Sequence, residues 1–335
     1  MFDRLARNIL LLAVTTSPFL AFSFFSLSRE SVRDFAAMIL VIVALLLWSL
    51  GRLVLRTCRI TAHWLWIGCA LVLIVFFVSA LWSTVPARAF GGEMGEWGTV
   101  FSLVIFMVVL VLSALLLSEA IHRRRALLVV VLVSALLWFL EIILTVFRLV
   151  QILPNWIPPV GFSSGSPSDL AYLGGVAVII SLILLEQYRA SLSRRLKILL
   201  SVALGLLLVG EVILDQWSVW LALGIVGFLI FVEPYLRSPL LGASRRILRP
   251  AFLVLIISIP FLVWGGGAGL LGAPLDRLSN FLGWSTVEVR PSWGATWQIA
   301  RRSLADHPWL GSGPNHFAID WQRYRPAQPV NATTF

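Results

Sequence analysis

The feature that most constrains this chain is a recurrence of apolar runs, each roughly 17 to 22 residues long, reaching to about residue 270. Coiled as an α-helix, a run of that length crosses a hydrocarbon core of about 30 Å. In lipid, a helix satisfies its backbone polar groups within its own segment. Nine spans can be read, at about 8–27, 34–51, 64–83, 99–118, 126–147, 168–186, 196–213, 217–233 and 251–270. A hydrophobic content of 59%, a charged content of 13% and a mean hydropathy of +0.93 exclude an ordinary water-soluble chain. The expected fold is all-α: a polytopic transmembrane helix bundle of about nine spans.

The net charge of +10 would suit a nucleic-acid partner if it were spread over a soluble surface, but here the basic residues cluster between apolar runs. No nucleic acid is expected. One set of connections holds Arg4 and Arg7, Arg52, Arg56 and Arg59, Arg123 to Arg125, Arg189, Arg194, Arg195 and Lys197, then Arg237, Arg245, Arg246 and Arg249. The opposite loops hold only Arg29, Arg33, Arg88 and Arg148, with acids such as Glu30, Asp34, Glu93 and Glu96. By the positive-inside rule the N-terminus is cytoplasmic, and after nine spans the segment 271–335 lies outside the membrane. "MFDRLAR" resembles the basic start of a secretory signal, but a long apolar stretch without a small-x-small site follows, so the first run reads as a retained span. The division expected is a helical membrane domain over 1–270 and an extracytoplasmic segment over 271–335.

Cys58 and Cys69 are too close in sequence to frame a disulfide scaffold and read as packing residues. Three acids stand out along the spans. Glu141, in "LLWFLEIIL", lies well inside the fifth, where a bundle-facing structural role is favoured over a relay or ligand contact. Glu211 and Asp215, in "GEVILDQWSV", mark the outer end of a tight hairpin between the seventh and eighth spans; either becomes a functional candidate if it lies within the hydrocarbon. At the start of the sixth, Ser168 and Asp169 can cap the helix and set a carboxylate at its N-terminus, the default explanation for Asp169.

The outer loops carry the remaining chemistry. "STVPARAFGGEMGEWG" offers Pro86, four glycines between Gly91 and Gly98, and Arg88 at the depth where lipid phosphates are found. In the tail, "RPSWGATWQIARRSLADHP" predicts a helix over 291–306, opened by Pro291 and stopped by Pro308. Its Trp293, Trp297, Ala300 and Leu304 form an apolar stripe while Arg301 and Arg302 point elsewhere, which suits a membrane interface and membrane lipids as neighbours, or equally a packed amphipathic helix. "HPWLGSGPNHF" follows, then "DWQRYRP" with Arg323 and Arg325. His307 and His316 lack the surrounding ligands of a metal site, and GSGP is not a phosphate-binding fingerprint, so neither metal nor cofactor is expected. The guanidinium groups beside the outer leaflet are suited to a bidentate grip on a diphosphate.

The string "EVRPSWGATWQIARRSLADHPWLGSGPNHFAIDWQRYRP", continuing to "NATTF", resembles the outer-loop region of the O-antigen ligase and polysaccharide polymerase-like membrane proteins. "STVPARAFGG", "SPSDLAYL" and "DQWSVWLALGIVG" fit the same pattern in order. The resemblance implies an inverting, metal-independent glycosyltransferase in the cytoplasmic membrane. It would move a glycan from undecaprenyl diphosphate to a lipid, glycan or protein acceptor on the outer face. Arginines would hold the departing diphosphate and a base would deprotonate the acceptor hydroxyl. By position Arg88 and Arg290 are the first diphosphate candidates, Arg301 and Arg302 the next, with Arg323, Arg325, His307, His316, Asp169 and Glu141 behind them.

The chain departs from the family pattern in two places. Trp217 and Trp220 flank "WSVW", where many members carry an Arg directly after the Ser. The family also continues beyond such a tail with the rest of a large outer loop, bearing a catalytic His, and with further spans. The resemblance thus implies a C-terminally truncated member in which neither His307 nor His316 matches the catalytic position. Two other readings stand beside it: a multi-span transporter of a small or lipid-linked solute, which should show paired broken helices and a midplane polar site, and a non-catalytic membrane assembly subunit.

Overall fold

The structure is a computed structural model and describes residues 2–16, 29–56, 64–92, 98–149, 167–237, 249–264, 272–282 and 293–325. Each regular element among them is helical. In chain order these are α1 (Phe2–Thr16), α2 (Arg29–Leu55), α3 (Trp64–Leu81), α4 (Pro86–Gly91), α5 (Val100–Leu116), α6 (Ala120–Leu149) and α7 (Pro167–Gln187). They continue with α8 (Arg194–Leu214), α9 (Trp217–Arg237), α10 (Pro250–Trp264), α11 (Gly272–Leu282), α12 (Trp293–Asp306) and α13 (Phe317–Tyr324).

Four segments, Ala36–Leu55, Ala120–Phe147, Pro167–Gln187 and Arg194–Leu214, are long and apolar enough to cross a membrane. Trp66–Leu81, Val100–Leu116, Trp217–Glu233 and Pro250–Val263 are shorter apolar helices. These are the helices of a membrane-embedded protein, and their exteriors agree: Leu46, Leu50 and Leu53 on α2 and Ile67, Leu71 and Ile74 on α3 are all exposed.

The chain divides into two compact units. The first comprises 1–17, 23–118 and 287–335, so the tail from Val287 belongs with the N-terminal helices. Within it α1 lies along α2, and both pack on α5. Ala6 and Leu10 meet Ala44, Leu112 and Leu116 in one apolar cluster, and Arg52 pairs with Asp3 beside it. A second cluster, Ala80, Ala89 and Val100, joins the end of α3 to α4 and the start of α5. Phe77 and Phe90 add an edge-to-face contact there, their centroids 5.2 Å apart. Thr99 caps α5 reciprocally with Ser102, which satisfies backbone donors at that helix start.

The second unit comprises 18–22 and 119–286 and is organised around α7. This helix packs on α6, α8, α9 and α10. Leu170, Ala171, Ala177, Val178, Leu182 and Leu184 are all buried, as expected of a helix apolar on every side at the centre of a bundle. Ser181 donates to the Ala177 carbonyl at 2.7 Å, so its hydroxyl is satisfied within its own helix. Trp220 of α9 stacks on Phe261 of α10 with centroids 4.2 Å apart.

The hairpin between α8 and α9 is as tight as its sequence predicts: α8 ends at Leu214, Asp215 takes a left-handed conformation with φ 43°, and α9 begins at Trp217. Aspartate tolerates that region better than most side chains. Glu211 does not sit on the outside of this turn. One turn back along α8 its side chain faces the bundle and is fully buried. At α7 the helix begins at Pro167, so Ser168 and Asp169 occupy its first turn rather than the cap position. A carboxylate there still faces the positive end of the helix dipole.

Candidate functional site in the folded tail

The tail folds back because its loop can turn sharply three times. Gly311 (φ 67°), Asn315 (φ 59°) and Gly313 (φ 116°) all have positive φ between α12 and α13. Gly313 also has a neighbour that forbids a side chain, since a Cβ there would lie 2.7 Å from Ser83 Cβ. This close approach seats the loop on the end of α3.

Two side chains hold it. Ser79 donates to the Leu310 carbonyl at 2.7 Å. The His316 ring, only 2% exposed, places Nε2 at 2.8 Å from Ser83 Oγ and Nδ1 at 2.8 Å from the Pro314 carbonyl oxygen. A carbonyl can only accept, so Nδ1 carries a proton. Nε2 pairs with the Ser83 hydroxyl, whose oxygen also accepts from the Val85 N–H at 3.2 Å. A hydroxyl, an imidazole and an orienting carbonyl thus form one chain of hydrogen bonds.

Beside it, Asp320 Oδ2 accepts from Ser303 at 3.0 Å and from Ser312 at 2.6 Å, tying α12, the loop and α13 together. Further along, Arg302 donates to the Tyr324 carbonyl at 3.1 Å, and Tyr324 donates to Asp306. That hydrogen bond pushes the Tyr324 phenol above its ordinary value, because losing the proton would set a phenolate against the carboxylate. Arg323 adds a 3.8 Å ion pair to Asp306.

These elements border an open cavity of about 520 Å³, lined by Val75, Phe76 and Ser79 of α3, Ile299 and Ser303 of α12, and His316 and Asp320. Its size falls among small-molecule sites, roughly 300 to 1,000 Å³, and an apolar wall with a few convergent polar groups is the usual character of such sites.

The sequence candidates distribute unevenly around this cavity. His316 lines it, whereas His307 sits half-buried at the end of α12, its backbone N–H donating to Ser303 at 2.9 Å. Arg301 and Arg302 project from the exposed side of α12, and Arg323 and Arg325 are exposed on and after α13. Arg88 is half-buried on α4, five residues beyond Ser83. Arg290 lies outside the described residues. Glu141 of α6 is buried and faces the bundle of the second unit, and Asp169 of α7 is exposed in that unit.

Ser79, Ser83 and Asp320 are not among the sequence candidates. Two serines four residues apart at the end of an otherwise apolar run are the signal the sequence offers, Ser79 in the last turn of α3 and Ser83 just beyond it. Among the described residues no group of three or more His, Cys, Asp or Glu side chains could hold a metal ion.

The second unit holds a different polar feature. A Cβ on Gly174 would lie 2.2 Å from Glu211 Oε1 and 2.6 Å from Trp138 Nε1, and one on Gly210 would lie 2.5 Å from the Trp138 ring. Both glycines make room for a buried Trp–Glu pair of side chains between α6, α7 and α8. Neither oxygen of Glu211 has a hydrogen-bond partner among the described residues. Comparison with known proteins returns no match for this chain among family models, curated proteins or solved structures.

Proposed function

We propose that this chain is an O-antigen ligase- or polymerase-like glycosyltransferase of the cytoplasmic membrane, working at its outer face on a glycan carried by undecaprenyl diphosphate. The observation that carries the reading is the meeting of two segments that resemble the family separately. The loop leading to Arg88 and the tail loop are joined by the Ser83–His316 and Ser79–Leu310 bonds, beside a cavity of about 520 Å³.

In such a transfer the acceptor hydroxyl attacks the anomeric carbon, its proton passes to a base, and the bond to the diphosphate oxygen breaks. Charge develops on the leaving diphosphate, where guanidinium groups are most effective. Arg88 and Arg290 are assigned that role. The acceptor is a lipid, glycan or protein hydroxyl, and no residue is assigned as the base.

The test is photo-crosslinking in native membranes with an undecaprenyl-diphosphate glycan. Labelling should fall on the Arg88 loop and the tail, and Arg88→Ala with Arg290→Ala should reduce it at least tenfold. Labelling equal to that of an unrelated membrane protein would sink the reading. The fully buried Glu211 carboxyl favours a second reading, a transporter of a small or lipid-linked solute, because an acid inside a membrane bundle is costly and serves transport in many such proteins. The same probe separates the two. Label found around Trp138, lost in Glu211→Gln and kept in Arg88→Ala, would favour transport.

A further inference from the structure

We infer that the exposed face of the tail is a membrane-surface anchor, docked on the anionic phospholipid headgroups of the bilayer that holds the chain. The argument begins at α3. Its two ends carry Trp64, 75% exposed, and Trp82, 74% exposed, and the residues between them are apolar and open on most sides. Eighteen helical residues span about 27 Å, close to a hydrocarbon core, and tryptophans at both ends are the mark of the two membrane–water interfaces. Trp82 therefore marks an interface plane. The tail is pinned beside it, by Ser79 three residues before and Ser83 one residue after.

At that depth the tail presents the right chemistry. Helix α12 buries Ala295, Ile299 and Ser303, so its packed face is not the tryptophan stripe. The opposite face shows Trp297, 69% exposed, then Arg301, then Leu304, at a spacing that puts them side by side, so Arg301 stands within the stripe and does not point away from it as the sequence suggests. Arg301 has no ion-pair partner among the described residues. Trp309, in the loop that follows, is 94% exposed. Indole rings prefer headgroup depth, and a guanidinium between them matches lipid phosphate in charge and in donor geometry. A water-facing surface would gain nothing from such a set.

The experiment uses the whole chain in nanodiscs, with Cys58→Ser and Cys69→Ser removing both native thiols. Spin labels are placed at Trp297→Cys and Trp309→Cys, positions whose exposure keeps the packed face untouched. Both labels should collide with oxygen several-fold more than with a water-soluble nickel chelate, at the depth of a headgroup-attached nitroxide. In phosphatidylglycerol discs the Trp297→Cys label should sit deeper than in phosphatidylcholine discs, and Arg301→Glu should abolish that difference. Nickel accessibility equal to that of a label on a hydrated peptide would overturn the anchor. Immersion that is independent of lipid charge and of Arg301 would overturn the headgroup assignment.

Discussion

One polar network in the first unit and one buried carboxyl in the second show opposite ways of burying polarity. In the first, polar side chains come in bonded sets: His316 with Ser83 and Pro314, and Asp320 with Ser303 and Ser312. In the second, an apolar centre built on α7 encloses Glu211, whose oxygens have no hydrogen-bond partner among the described residues. A satisfied network fixes the geometry of a loop that apolar packing alone cannot position. An unsatisfied carboxyl does the reverse, costing stability that the surrounding packing must supply.

The largest effect should come from filling the space that lets the second unit close. Gly210→Ala sets a methyl 2.5 to 2.6 Å from three ring atoms of the buried Trp138, and a rigid ring cannot step aside. The expected loss is about 3 kcal/mol, seen as a lower thermal midpoint in nanodiscs. An unchanged midpoint would mean that α6 and α8 are looser than this contact requires.

His316→Ala should cost about 2 kcal/mol, because it strands the Ser83 hydroxyl in a buried place. Hydrogen exchange should quicken in residues 307–324 and stay unchanged in α7, which sharpens the separation of the units. Equal acceleration in both would break it.

Glu211→Met replaces the partnerless carboxyl with an unbranched apolar chain of similar length, and should raise stability by about 1 kcal/mol. A loss instead would show that the carboxyl has a stabilising partner outside the described residues.

The smallest effect concerns Tyr324, which lies at the surface. Its phenol titrates above the ordinary value, so the hydrogen bond to Asp306 is intact at neutral pH and is lost as pH rises through the folded value. In an absorbance titration Tyr324 should contribute a component above the ordinary phenol range, and Tyr324→Phe should remove it.

Much of the helical plan was legible because long apolar runs admit few alternatives in lipid. Pro291 and Pro308 bracket a helix that spans Trp293–Asp306, since a proline suits the start of a helix or the stretch just past its end. Side-chain direction was harder. The stripe of Trp297 and Leu304 is visible in the sequence, but its destination is not: the buried face is Ala295, Ile299 and Ser303, the last bonded to Asp320 of α13. Glu211 illustrates the same limit. The sequence sets it at the hairpin's outer end, only four residues before Asp215, yet one helical turn suffices to put its side chain among α6 and α7. In a helix apolar on every side no period marks the inner face. The Ser83–His316 pair spans 233 residues, and pairing over such a distance leaves no local trace.

The central position of α7 also bears on how the chain is made. Its partners α8, α9 and α10 all follow it in sequence, so at synthesis α7 must wait in lipid with only α6 for company. It is suited to waiting: its interior carries no charged side chain from Leu170 to Leu185, and Ser181 is already bonded to Ala177. Glu211 emerges later, when Gly174 is in place to receive it. The order of elements thus delays the costliest residue until its niche exists.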